Sequence, residues 1–377
     1  MSFVPGTALE FFAGIGLARL GLERSGWTVT FANDNDPRKE EMHRGHWGRD
    51  AKYVLKNVFD VQLNEIPDAE LAWASFPCVD LSLAGNRAGL KGHSSSAYWG
   101  FHDILDGLGA ARRPPLVVLE NVHGMLTSHD GDDLARIMSG LNALGYTTDL
   151  LSINAVHFVP QSRPRMFVIG ARPPYHILTD QEPNLSELRP RQVLEFRKRH
   201  DTLSWGVAPI GKLPQLDTTL QDFIEQRPSQ ADFWWDGNAV QRLIDRMSDR
   251  HRAEVDRLSR GPTVTYGTVY RRVRPAGYRA EVRFDGIAGC LRTPRGGSSR
   301  QFVMEVGEGN IRARHMSAVE YGRLQGAPDF RIEVPEMQAL FGFGDAVCVP
   351  VVSWLSRFCL EPIRRGVAAE QQLSFLC

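Results

Sequence analysis

Between Thr7 and Ile169 the sequence alternates short apolar runs with helical patterns, and this alternation restricts the architecture more than any other feature. Thr7–Phe12 precedes Leu17–Ser25, Thr28–Ala32 precedes Pro37–His46, Leu71–Ser75 precedes Trp99–Ala111, and Leu116–Leu119 precedes Asp132–Leu144. A strand that feeds a helix and then another strand returns to its sheet by a crossover, so the pattern predicts an α/β fold of parallel strands with helices on both faces. Gly26 and Gly145 stand where two of those helices should stop. Thr147–Ile153 and Arg165–Ile169 read as two further strands, a terminal hairpin that makes the sheet mixed.

The alternation ceases near residue 172. At 377 residues the chain has room for one large α/β domain and a smaller partner. From 172 to 314 it is rich in proline, arginine and aromatics (Phe233, Trp234, Trp235, Tyr266, Tyr270, Tyr278) with little periodicity, and reads as a second domain of strands and loops. Ser317-Ala-Val-Glu320 is a capping-box signature opening a short helix that Gly326 can close. Ala346–Leu360 reads as a helix that returns to the first domain. The expected division is therefore 1–171, 172–314, a returning segment 315–360 and a tail 361–377.

Apolar content of 42% and charged content of 23% fit a globular chain. Lysine plus arginine and aspartate plus glutamate each total 44, so no global positive field marks a polyanionic partner. A grip on nucleic acid must then be local. Between Arg271 and Arg300, eight arginines stand against Glu281 and Asp285, a surplus of six. Interleaved glycine and serine suit a phosphate-gripping surface better than a solvated basic face. Five cysteines (78, 290, 348, 359 and 377), odd in number and without a CxxC pair, indicate reduced thiols in a cytosol-like compartment. His43 and His46 have HxxH spacing beside Trp47 but no cysteine or carboxylate in a ligand pattern, so they read as a helix surface pair and no metal is expected. The N-terminus lacks a basic n-region, and no stretch approaches the roughly 20 apolar residues of a membrane span. A cytoplasmic monomer is expected.

Glu10-Phe-Phe-Ala-Gly14-Ile-Gly16 places two glycines at a strand-to-helix turn, where backbone must approach a ligand and direct amide donors at it. Leu17 stands where a third glycine would complete a dinucleotide fingerprint. The next strand ends in Ala32-Asn33-Asp34-Asn35-Asp36, about 20 residues on, where an acid accepts from ribose hydroxyls. An S-adenosylmethionine or NAD site follows.

Phe76-Pro77-Cys78 ends another strand, at the carboxyl edge where parallel sheets bind ligands. Free cysteine is most often core, but this position favours a nucleophile. Glu120 closes Leu116-Val-Val-Leu119 and so lies at the lip of an adjacent strand. Arg163 and Arg165 alternate on an extended segment, which places both guanidiniums on one face. A thiol, an acid and a guanidinium together suit attack on a pyrimidine. Cytosine carbon 5 is a poor nucleophile, but a thiolate added at carbon 6 makes the ring an enamine able to attack a methyl sulfonium. Protonated, Glu120 would hydrogen-bond ring nitrogen 3, and the arginines would hold the ring oxygen and a phosphate or the carboxylate. Between Cys78 and Phe101 runs a Gly- and Ser-rich stretch with Ser82, Arg87 and Lys91, read as a lid that closes on a flipped base.

Taken together, these residues closely resemble the bacterial DNA cytosine-5 methyltransferases. The resemblance covers 1–170 and 311–358, with motifs in family order. FAGIG (Phe12 to Gly16) resembles the cofactor loop, SFPC (Ser75 to Cys78) the nucleophile motif, ENV (Glu120 to Val122) the acid motif and QSRPR (Gln161 to Arg165) the arginine motif. Arg323-Leu-Gln-Gly326 and Phe343-Gly-Asp-Ala-Val347 resemble the two closing motifs. The resemblance implies a Rossmann-like S-adenosylmethionine fold and covalent catalysis by Cys78 on an extruded cytosine, with Glu120, Arg163 and Arg165 assisting. It implies a cofactor pocket of Phe12, Ala13, Gly14, Gly16, Asp34, Asn57, Val58, Pro77, Asp345, Ala346 and Val347. Its target-recognition domain would occupy 172–314, with Arg292, Thr293, Arg295, Gly296, Gly297, Ser298 and Arg300 as candidates for contacting DNA, joined by Ser82, Arg87 and Lys91 of the lid. Four positions depart from the family pattern: Asp34 stands for glutamate, Asn35 for an aromatic, Asn57 for aspartate and Asp345 for asparagine.

The expected activity is methylation of cytosine carbon 5 in a specific sequence of double-stranded DNA, with a cognate restriction endonuclease acting separately as a possible partner. Three rivals are an RNA (tRNA) cytosine methylase, a DNA reader without catalysis and a nicotinamide oxidoreductase. The last leaves the Cys, Glu and Arg triple unexplained.

Overall fold

The run Leu71-Ala-Trp-Ala74 is buried at every position, as only a strand covered on both faces can be. It is the centre of a seven-stranded sheet in the computed structural model, which describes residues 5–49, 52–77, 97–225, 234–274, 277–294 and 300–366. The strands are β1 (Thr7–Phe11), β2 (Thr28–Asp34), β3 (Tyr53–Leu55), β4 (Leu71–Ala74), β5 (Leu116–Val122), β6 (Thr147–Asn154) and β7 (Pro164–Ala171). Their order is β3-β2-β1-β4-β5-β7-β6. The first five are parallel; β7 lies antiparallel between β5 and β6, so the mixed sheet and its hairpin match the sequence reading.

Helices α1 (Leu17–Glu23) and α2 (Pro37–Trp47) follow β1 and β2; α3 (Ala97–Gly107) and the short α4 (Gly109–Arg112) precede β5, and α5 (Asp132–Ala143) follows it. Local chemistry sets these boundaries. Asp36 caps α2 by accepting from the Arg38 amide, Pro37 fills its first turn, and Gly48 leaves it at φ 77°. Side chains alternate across β1 and β2. Phe11 and Phe31 leave the sheet on the side of α3, where Phe11 meets Phe101 at 5.0 Å, and Glu10 and Asp34 leave on the other.

The chain forms two compact units. The first holds 1–154, 164–213 and 349–377; the second holds 155–163 and 214–348. The expected division at 171 and 315 differs from this for a physical reason at each end. Residues 172–213, which include α6 (Arg191–Arg199), stay with the first unit because Asp149 of β6 is buried and needs partners: Arg189 at 2.5 Å and the Ala208 amide at 2.9 Å. Residues 315–348 join the second, where Glu320 accepts from Arg314 in a fully buried pair at 2.6 Å.

The second unit is more ordered than strands and loops. Helices α7 (Gly237–Ile244) and α8 (Asp249–Ser259) cover one face of an antiparallel sheet, β11-β10-β8-β9, built from β8 (Thr265–Arg274), β9 (Gly277–Arg283), β10 (Phe302–Gly307) and β11 (Asn310–His315). Two more helices follow, α9 (Ala318–Leu324) with the expected Ser317–Glu320 capping box, and α10 (Glu336–Asp345).

The returning segment enters the first unit as α11 (Val349–Leu355), a π-turn over Ser356–Leu360 and α12 (Glu361–Arg365). Gly21 of α1 is what admits it: a β-carbon there would fall 2.5 Å from that of Val352. The run Glu336–Arg365 is long and apolar enough to cross a membrane, which the sequence reading did not anticipate, but most of its apolar window is buried inside the protein, as in a core helix.

Candidate active site

The glycine turn is built by its own backbone. Phe12 adopts φ 58°, Gly14 φ 56° and Gly16 φ 82°, and the left-handed Phe12 is a strained conformation of the kind held at functional sites. Asp34 clamps the turn: its Oδ2 accepts from the Gly14 amide at 2.8 Å and its Oδ1 from the Asp36 amide at 2.9 Å. Tyr53 donates from its hydroxyl to the Gly14 carbonyl at 3.0 Å, and burial drives that phenol's pKa upward. His43 is buried rather than on the surface, its ring 4.4 Å from that of Tyr53, and both it and Trp47 fill the space beneath Gly16. Among the described residues no group of three metal-binding side chains occurs.

Beneath the turn lies Glu10, 1% exposed. Its Oε1 accepts from the Arg19 amide, its Oε2 has no hydrogen-bond partner, and burial pushes its carboxyl up to about 8. Asn57 follows β3 and uses its side-chain oxygen to cap the next turn, accepting from the Phe59 amide at 3.2 Å. Val58 beside it is buried and Pro77 is exposed. Two glycines at positive φ, a carboxylate on the next strand and an amide on the third form a donor and acceptor set that fits a nucleoside with a charged tail.

At the rim of β5, Glu120 pairs with Arg165 of β7 at 3.2 Å, both largely buried. Antiparallel pairing sets Val122 opposite Arg165, which brings the guanidinium to the lip. Asn121 donates to the Phe76 carbonyl at 3.2 Å and accepts from the Val122 amide at 2.8 Å, tying the end of β5 to the segment that leads into Cys78. Cys78, Ser82, Arg87 and Lys91 lie outside the described residues, as do Arg295, Gly296, Gly297 and Ser298.

Arg163 has a use that its alternation with Arg165 does not foretell. It is 2% exposed, and in the second unit it donates to the carbonyls of Leu291 and Ala346, both at 2.7 Å, and of Gly344 at 3.3 Å. Gln161 adds to this brace, donating to the Leu324 carbonyl and accepting from the Leu291 amide; Gln325 donates to the Phe343 carbonyl. A β-carbon on Gly344 would fall 2.5 Å from the Thr293 nitrogen, so only glycine lets residues 292–293 pass. Asp345 is exposed, Ala346 half-buried and Val347 buried in that unit.

The basic stretch is more heavily paired than its charge suggests. Arg272 meets Glu281, Arg283 meets Asp285, and Arg312 meets Glu305. Arg300, expected at DNA, spends its guanidinium on the Met316 carbonyl and on Glu336. Arg279 and Arg292 are exposed and Thr293 half-buried. In the β8-β9 register Arg272 faces Arg279 and Thr268 faces Arg283, so these arginines share the sheet face opposite the helices.

Fold and site together define a Rossmann-like α/β protein with a glycine turn clamped by a carboxylate at one strand end and an acid paired with a guanidinium at another. The model of the C-5 cytosine-specific DNA methylase family matches residues 6–360, and the chain belongs to that family. It is a DNA (cytosine-5) methyltransferase. Type II methyltransferase M.NgoBI of Neisseria gonorrhoeae is 24% identical over 353 residues, covering 93% of this chain and 92% of that protein. Type II methyltransferase M.HaeII of Haemophilus aegyptius is 25% identical over 373 residues, covering 98% of each. In fold the chain is similar to the S. pombe Dnmt2 methyltransferase, with a TM-score of 0.60 at 15% identity, covering 95% of this chain and 99% of that one.

Proposed function

We propose that the enzyme methylates carbon 5 of cytosine in a specific duplex DNA sequence, acting on a base turned out of the helix and held covalently by Cys78 at carbon 6. The observation that carries this reading is the rim of β4 and β5. Asn121 ties Phe76, two residues before Cys78, to the strand that presents Glu120, and Arg165 pairs with Glu120 there. The thiolate of Cys78 adds to carbon 6, Glu120 hydrogen-bonds the ring at nitrogen 3, and Arg165 orients Glu120 and the ring oxygen. Loss of the carbon 5 proton and of Cys78 then restores the aromatic base.

The glycine turn, Asp34 and Asn57 fit S-adenosylmethionine, which supplies the methyl sulfonium when bound. Gly14, beside open space, leaves room for its tail, and Asp34, with lone pairs beyond the two engaged by amides, accepts from its ribose. Exposed Arg279 and Arg292 serve as DNA contacts on the second unit. Arg163 acts as a brace rather than at the ring.

Bisulfite sequencing of DNA from a host expressing the chain tests the activity and yields the sequence read. One cytosine protected within a fixed motif is expected, and Cys78→Ala should abolish protection. Protection that persists in Cys78→Ala refutes the covalent route, and protected tRNA with unprotected DNA replaces the substrate.

A further inference from the structure

Extended chain in a protein interior needs partners for its amides and carbonyls, and a neighbouring strand is the usual supplier. Residues 288–291 of the second unit have that only at one isolated bridge, to the segment ahead of β7. There the Ala288 amide donates to the Pro160 carbonyl at 2.7 Å, and the Ala288 carbonyl accepts from the Ser162 amide at 2.9 Å. Beyond the bridge, side chains take over. Gln161 accepts from the Leu291 amide at 3.1 Å, Arg163 donates to the Leu291 carbonyl at 2.7 Å, and Gln301 donates to the Gly289 carbonyl at 2.8 Å. All three side chains are buried.

Bonds of this kind are made to backbone, so they fix the path of the strap and not the identity of its residues. Sliding it by one residue would leave buried donors and acceptors unpaired, which holds the register. The same guanidinium also reaches the Gly344 carbonyl, and Gly344 is the residue that 292–293 cross at close range. Arg163 therefore pins the strap to what lies under it. Arg292, exposed, and Thr293, half-buried, emerge from the chain immediately after the pinned Leu291.

We propose that Gln161, Arg163 and Gln301 are positioning residues for sequence discrimination, holding the strap so that Arg292 and Thr293 meet one base pair and no other. The proposal rests on the duplex DNA reading above. A side chain tells base edges apart only when its donors are held to within about 0.5 Å. On a loose strap Arg292 would find an acceptor on a wrong base or on a phosphate, and the contact would cease to discriminate. The bonds described here run to the strap and to the chain beneath it, so they govern the choice of site.

A competition experiment tests this. Duplexes carrying the recognised site and each of its single-base-pair variants are pooled, methylated by the purified enzyme with S-adenosylmethionine, and read by bisulfite sequencing. Gln301→Met keeps the length and loses the donor to Gly289; Arg163→Lys keeps the charge and loses the fork. Each should lower the preference for the recognised site about ten-fold at one or two base pairs and leave the others within about two-fold. Should Arg163→Lys not fold, Gln301→Met, which removes one bond, decides. Loss of folded enzyme alone lowers methylation of every duplex by the same factor and leaves the preference unmoved. Val255→Ala, a cavity in the core under α8, should behave in that way. The assignment is overturned if the strap variants keep the wild-type preference, if the fall is spread evenly over all base pairs, or if Val255→Ala reproduces it. A wild-type protein that methylates duplex DNA without preference, or not at all, overturns the duplex reading itself, and this assignment with it.

Discussion

Glu10 carries its carboxyl where water does not reach, and the cost is set by pH. Its pKa rises from 4.5 to about 8 because burial penalises the anion by more than the Arg19 amide stabilises it. Between those values the unfolded chain has released the proton and the folded one has kept it, so stability falls as pH rises across the window, by ~1.4 kcal/mol for each unit. Glu10→Gln removes the titration. The variant's melting temperature should gain on that of the wild type between pH 5 and pH 8, and a gap that stays constant would show that Glu10 does not hold its proton. The two arginines of one motif illustrate the same dependence on surroundings. Arg165 pairs with an acid on the rim, while Arg163 is consumed by three carbonyls. Alternation along an extended segment could not separate them, because it says nothing of what the rest of the chain brings to each side.

Asn121 works through the elements it joins. It holds the Phe76 carbonyl across the boundary between β4 and β5, so the segment entering the nucleophile is anchored to the strand bearing the acid. Asn121→Ala strips partners from buried polar groups and should cost about 1–3 kcal/mol in unfolding free energy. The same variant should lower kcat at least ten-fold, with the KM for S-adenosylmethionine little changed. A proportionate rise in that KM with kcat intact would place its effect on the cofactor instead. At this scale the sequence was readable where apolar period and strand length agree. Leu71–Ala74 and Leu116–Leu119 declare themselves as covered strands, and the SFPC and ENV motifs sit at their ends. Strand β3 was not, since three residues carry too little period. The helices α7 and α8 were hidden by the arginines and aromatics around them, which mask an amphipathic stripe.

The first unit is assembled from three separate stretches, and its last stretch is buried against its first. Val352 stands over Gly21, Ser353 donates to the Gly21 carbonyl at 2.8 Å, and Arg364 pairs with Glu70 at 3.0 Å. A chain ending at residue 348 should leave α1 open to solvent. Hydrogen exchange should show the amides of α1 and β1 losing protection; full protection there would mean that the closing helices are dispensable. The division near 213 rather than 171 escaped the sequence for a related reason. Asp149 draws residues 189–208 back to the sheet, a long-range pairing without local signature.

That order of segments also has a consequence in time. During synthesis the seven strands leave the ribosome well before Val349, and residues 214–348 of the second unit are made in between. Until residues 349–365 emerge, the nascent enzyme carries a finished sheet with a bare flank, so its first unit is completed only after residues 214–348 have been made.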